Sequence, residues 1–283
     1  MNTTQQAPVV KEVTVDAPAK RVWKALTDSS LMKQWYFDIP GFKPEVGFEF
    51  QFTGGEPGGK QYVHLCRVIE AIPNKKLKHS WRYEGYEGDS YVTWELSEEG
   101  NKTRVKLTHE GLETFPPVNE LARENFVAGW NGFVNELLPD IVEEGSTTGS
   151  VEINASADKV WQVLTDLEKI KEWAAAFHEG TTAETTWKEG DGIVWKDGDG
   201  NIGASGVVLL YDRPRKLEMG YYDDFEKTPP AEPDDYHEVF TLTEQDGKTT
   251  LKFSGGKLAM KYVKMHQPMW KDAIERIKKI AER

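Results

Sequence analysis

One cysteine, six histidines and no surplus of positive charge set the first limits on this chain. With Cys66 alone, neither an intrachain disulfide nor a multi-cysteine metal site can form, which points to a reducing compartment. Lysine and arginine number 35 against 47 aspartates and glutamates, for a net charge of −12. The deficit is evenly spread, with 16 basic and 22 acidic residues up to Gly145 and 19 and 25 beyond it. Phosphate backbones call for a basic face, so nucleic acid is not an expected partner. No window reaches ~18 uninterrupted apolar residues, and Met1 to Pro8 is polar without a basic start. Neither a membrane span nor a signal peptide is expected, and the protein reads as soluble and cytoplasmic. No two histidines stand in a His-x-His or His-Glu-x-x-His pair, and no metal or cofactor is expected. Asp197-Gly-Asp-Gly-Asn201 starts like a calcium loop, but Ile202 and Val208 stand where that loop needs Gly and Glu. It reads as a hairpin turn.

What the chain does have is length and rings. Its 283 residues include 12 Phe, 10 Trp and 10 Tyr, enough apolar surface for two cores. It also repeats itself. Val13-Thr-Val-Asp-Ala-Pro-Ala-Lys-Arg-Val-Trp-Lys-Ala-Leu-Thr-Asp28 matches Val151-Glu-Ile-Asn-Ala-Ser-Ala-Asp-Lys-Val-Trp-Gln-Val-Leu-Thr-Asp166. Trp35 and Trp173 keep the same spacing, and Trp130 meets Trp270 near the two ends. A period this long is a duplicated domain and not a solenoid, which predicts domains over 1–145 and 146–283. The polar stretch Glu143-Glu-Gly-Ser-Thr-Thr-Gly149 suits the linker.

Each copy reads in one order: a short strand, two short helices, a run of strands broken by Gly and Asn turns, and a long amphipathic helix. In the first copy the strands fall at 48–52, 62–71, 77–83, 91–96 and 103–109. On the closing helices, Ala122, Phe126, Trp130, Phe133, Leu137 and Ile141 form one expected apolar face. Leu258, Tyr262, Met265, Met269, Ala273, Ile277 and Ile280 form the other. Pro139 is expected to kink or end the first of these helices. The class is α+β, a curved antiparallel sheet with its one apolar face covered by the last helix.

Between such a sheet and helix a cavity can remain. Two-residue alternation puts Tyr62, His64, Cys66 and Val68 on one face, with Trp81, Tyr83, Tyr91 and His109 on neighbouring strands. Phe126, Trp130 and Phe133 come from the helix. The second copy contributes Trp195, Tyr221, Met265, Met269 and Trp270. Apolar bodies with a few polar tips are what a ligand cavity needs, and also what an ordinary core with satisfied His and Tyr looks like. His109 and Glu110 are adjacent on a strand and point to opposite faces, so they cannot act as a base and its partner. No nucleophile is identifiable beside either, and enzymatic activity is not expected. Cys66 reads as a small buried residue. The acidic, proline-containing segment 223–235 reads as a solvated loop that could act as a flap or a docking segment.

These residues resemble the START-like (SRPBCC) superfamily, the helix-grip fold of the birch-pollen allergen. Within it, Glu70-Ala-Ile-Pro-Asn-Lys-Lys-Leu-Lys-His-Ser-Trp81, Thr103-Arg-Val-Lys-Leu-Thr-His-Glu-Gly111 and Gly129-Trp-Asn-Gly-Phe-Val-Asn-Glu-Leu137 resemble the group named for the activator of heat-shock protein 90 ATPase. The second copy keeps the opening and the closing tryptophan but has Phe253-Ser-Gly-Gly where the first has Leu107-Thr-His-Glu-Gly. The resemblance implies two tandem helix-grip domains and non-catalytic binding of a small hydrophobic or amphipathic molecule. A chaperone-associated or stress-response interaction module is the alternative, and a cyclase- or hydrolase-type enzyme a third. The namesake co-chaperone carries a separate N-terminal domain, whereas this chain opens on the helix-grip copy, so chaperone activation is not expected to follow from the name.

Overall fold

A computed structural model describes residues 6–55, 58–223, 227–229 and 231–283. Met1 to Gln5, Glu56 and Pro57 of the glycine-rich turn, and Asp224, Phe225, Glu226 and Pro230 of the acidic segment lie outside the described residues. The chain divides into two compact units, Met1–Glu144 and Gly145–Arg283.

The first unit runs β1 (Val9–Val15), α1 (Ala19–Thr27), α2 (Ser29–Trp35), then β2 (Glu49–Gly55), β3 (Gln61–Ile72), β4 (Lys76–Tyr83), β5 (Ser90–Glu99) and β6 (Lys102–Glu110). It closes with α3 (Arg123–Gly132), a π-helical turn over Phe133–Leu137, and α4 (Leu138–Val142). The sheet is antiparallel in the order β1-β6-β5-β4-β3-β2. The two-residue β7 (Glu144–Gly145) straddles the division, and the second unit continues with β8 (Thr148–Ile153), α5 (Ala157–Thr165) and α6 (Leu167–Ala174). Strands β9 (Thr182–Glu184), β10 (Gly192–Lys196), β11 (Ile202–Asp212), β12 (Lys216–Tyr221), β13 (His237–Gln245) and β14 (Lys248–Gly255) follow. The short β15 (Leu258–Ala259) leads into α7 (Met260–Ala281), and the main sheet is ordered β8-β14-β13-β12-β11-β10-β9. Both units are the α+β helix-grip arrangement that the element order implied.

The repeated Trp-x-x-Leu-Thr-Asp has a local physical reason. Thr27 Oγ1 donates to the Trp23 carbonyl at 2.7 Å and Thr165 Oγ1 to that of Trp161 at 2.9 Å, each closing the last turn of a helix. The next residue caps the following helix: Asp28 accepts from Leu31 N at 3.0 Å, and Asp166 from Glu168 N at 2.9 Å. Two long-range bonds also recur. Trp35 Nε1 donates to the Ala25 carbonyl (3.0 Å) and Trp173 Nε1 to that of Val163 (3.1 Å). Thr103 Oγ1 donates to the Ala17 carbonyl and Thr249 Oγ1 to that of Ala155, both at 2.7 Å.

The closing helices depart from the expected faces. In the first unit the π turn, with Leu138 N bonded back to the Phe133 carbonyl, adds a residue to the helical path. The apolar stripe therefore passes from Phe126 and Trp130 to Val134, Leu138, Ile141 and Val142, and Leu137 turns outward. Pro139 neither ends nor breaks the helix. It sits in the first turn of α4, directly after the π turn, where a missing N–H is tolerated. On α7 the buried stripe is Val263, Trp270, Ala273, Ile274, Ile277, Ile280 and Ala281, so Tyr262 and Met265 face solvent instead of the core. No helix among the described residues is long and apolar enough to cross a membrane.

Candidate functional site

In the first unit, register lines up the rings. Phe52 on β2 pairs with His64 on β3, and His64 with Tyr83 on β4. One row of aromatic side chains therefore crosses three strands on the inner face. His64 stacks on Phe52 at 4.3 Å between centroids and lies 4.8 Å from Trp81. From the helix, Trp130 meets Trp81 edge-on at 5.3 Å, and Phe126 and Phe133 flank it. Together they wall a cleft of about 660 Å³ between sheet and α3. Tyr62, His64, Trp81, Tyr83, Phe126, Trp130 and Phe133 all line it.

Two sequence candidates lie elsewhere. Tyr91 is on the opposite face of the sheet, because Trp81 pairs with Ser90 and puts Ser90 and Val92 inward. Its ring lies under Lys78 Nζ at 5.2 Å and opposite Glu110. Tyr91, expected in the cavity, therefore faces away from it, because a shift of one residue in a period of two reverses the face. His109 sits behind the wall, fully buried. Trp130 Nε1 can only donate, so His109 Nδ1 accepts from it at 2.9 Å. The proton is therefore on Nε2, which donates to Ser90 Oγ at 2.9 Å, and Ser90 passes its own hydrogen to the Trp81 carbonyl at 2.7 Å. Burial, reinforced by His79, lowers the pKa of His109 to about 3, so the ring is neutral. With both nitrogens engaged it positions the Trp130 indole.

The polar content of the cleft is sparse. Burial lowers the pKa of His64 to about 4 and keeps it neutral. His64 Nδ1 and Trp81 Nε1 are buried without a hydrogen-bond partner. At the mouth stand Lys60, Glu120 and Asn125. Lys60 Nζ donates to Tyr86 Oη at 2.8 Å and to Glu120 Oε1 at 3.3 Å. Phe37, Lys60, Glu120 and Asn125 went unnoticed in the sequence because they lie in loops or on the helix flank, where no period marks them. Phe37 alone left a trace, as the third ring of Trp35-Tyr36-Phe37, and it stacks on Phe52 at 4.3 Å. Gly129, also lining the cleft, has open space where a Cβ would stand.

The second unit fills the equivalent region differently. Leu217 pairs with Phe240 and Phe240 with Phe253, as Leu77 pairs with Trp94 and Trp94 with Leu107. Two residues along β14 and β13, Gly255 replaces His109 and Glu238 replaces Val92, and four residues along β12 Tyr221 stands where Trp81 does. A side chain at Gly255 would collide with Thr147 Oγ1. Trp195 Nε1 donates to Tyr221 Oη at 3.0 Å, and Tyr221 and Tyr236 donate to the two oxygens of Glu238 at 2.8 and 2.9 Å. Burial raises the Glu238 pKa to about 7, the two tyrosine bonds opposing the rise. Trp270 stacks on Phe253 at 3.6 Å. Of the methionines, Met269 is half-buried and Met265, 47% exposed, faces solvent because it lies off the buried stripe of α7. Among the described residues, no group of three His, Cys, Asp or Glu stands close enough to hold a metal.

A family model described as activator of Hsp90 ATPase homolog 1-like protein matches residues 16–143 and again 154–282. DynU16, from the dynemicin biosynthetic locus, is similar over 98% of this chain and 99% of its own, at 19% identity and a TM-score of 0.41. Protein MLL2253 of Mesorhizobium loti is 28% identical over 47% of this chain and 95% of its own, with a TM-score of 0.41. BH1534 of Bacillus halodurans is 28% identical over 50% and 99%, with a TM-score of 0.40. No curated protein matches the chain significantly.

Proposed function

Since the chain belongs to the family described as activator of Hsp90 ATPase homolog 1-like protein, in two tandem copies, we propose that its first copy binds a small hydrophobic molecule. The ligand lies between sheet and closing helix and leaves chemically unchanged. The observation that carries this reading is the 660 Å³ cleft walled by rings from β3, β4 and α3. Sites for small molecules are of this size and this apolar, with few polar groups to set orientation. The fully bonded, neutral His109 supports a binding role over proton transfer, since a base must have a nitrogen free to take a proton.

Gly129→Leu is the direct test. Its side chain enters open space in the cleft, while exchange of glycine for leucine inside a helix adds up to about 1 kcal/mol of stability. The expected result is a first copy at least as stable as before that no longer binds an apolar fluorescent probe. Unchanged probe binding would remove the cleft as the site.

A further inference from the structure

The mouth of the cleft is asymmetric. Lys60 is the one cation among the lining residues, and it enters from the turn before β3. Its ammonium lies over two rings, 5.1 Å from the centroid of Tyr62 and 5.5 Å from that of Tyr86, and bonds Tyr86 Oη at 2.8 Å. These contacts belong to the β3 side of the cleft and hold the ammonium whether or not an anion faces it. Glu120 comes from a three-residue turn, Asn119–Leu121, on the far side of the mouth. Its carboxylate reaches Lys60 Nζ at 3.3 Å, and its side chain is 41% exposed. An exposed pair of this length is weakly held.

The two partners are therefore not equally replaceable. A cationic ligand would have to displace Lys60 from two rings and a phenol oxygen. An anionic ligand need only displace Glu120, which returns to water. Resting on the cleft reading above, we propose that the occupant is an amphipathic anion. Its apolar ring body fills the aromatic cleft, and one carboxylate-sized oxyanion takes the place of Glu120 on Lys60. The neutral state of His64 fits the inner end to the uncharged part of such a molecule, since an apolar body meets no buried charge there.

The test uses two probes on the full chain: the anion anilinonaphthalene sulfonate and its uncharged ring counterpart phenylnaphthylamine. Each is titrated into the wild type, Lys60→Gln, Glu120→Gln and Gly129→Leu. The expected pattern is binding of both probes to the wild type, lost in Gly129→Leu. The anion should bind about fivefold more weakly to Lys60→Gln and about threefold more tightly to Glu120→Gln, and weaken with added salt. The uncharged probe should not distinguish these two variants from the wild type, which also reports that the mouth remains folded. Uncharged-probe binding, with an anion indifferent to Lys60→Gln, overturns the head-group assignment and leaves the cleft reading standing. Failure of both probes to bind the wild type, or survival of both in Gly129→Leu, overturns the cleft reading and this inference with it.

Discussion

Glu238 makes the second copy sensitive to pH in a direction opposite to most carboxylates, and Glu238→Gln exposes it. The side chain is 9% exposed, and burial raises its pKa from the ordinary 4.5 to about 7. The fold thus holds the neutral acid more strongly than the carboxylate. Below pH 4.5 both folded and unfolded chains are protonated, and the stabilisation is complete. As pH rises toward 7 the unfolded chain releases the proton while the folded chain resists, and stability falls by roughly 3 kcal/mol in total. Glutamine has the same shape and no charge, so this decline should vanish. It brings two N–H groups to a site already supplied with donors by Tyr221 and Tyr236, at a cost of about 1 kcal/mol on the acid side. The variant should therefore be the less stable protein at pH 4.5 and the more stable one at pH 8. Pulse proteolysis over a urea series, with peptides from 145–283 quantified by mass spectrometry, follows the second copy within the intact chain. Every other titrating group cancels in the difference between the two proteins. A difference that stays constant from pH 4.5 to 8 would refute the assignment of a buried, neutral-favouring carboxyl.

The first copy should respond to acid in the opposite sense. His64 and His79 are lowered to about 4 and His109 to about 3, so its stability is complete above pH 6.5 and falls as pH drops from there toward 4, read by the same proteolysis on peptides from 1–144. Trp130→Phe keeps a ring but leaves His109 Nδ1 without its donor, and should cost the first copy about 1–3 kcal/mol in urea denaturation, against about 3–5 for Trp130→Ala. Tyr91→Ala, on the outer face, should leave probe affinity unchanged while Phe37→Ala lowers it, and the reverse order in a titration would contradict the register.

The duplication, the α+β class and the family were legible in the residues because their marks are local. Thr27 and Asp28, like Thr165 and Asp166, end one helix and cap the next within a few residues, so the same short string recurs wherever that turn is needed. Most ring positions of the cleft were legible as well, since alternation along β3 and β4 follows from the pleat. Three things belonged to the tertiary structure. Which parity of β5 faces inward was set by its pairing with β4, and that placed Ser90 inside and Tyr91 outside. The path of the closing helix was set by one π turn, which no 3.6-residue period contains, and that moved Leu137 out and Leu138 in. The polar contacts that distinguish the copies join residues separated in the chain: Lys60 with Glu120 across the mouth, and Tyr221 with Glu238, which stands where the first copy has Val92. A side chain's partner across a sheet or a cleft is chosen by register and loop path, and neither is written in the spacing of residues along one strand.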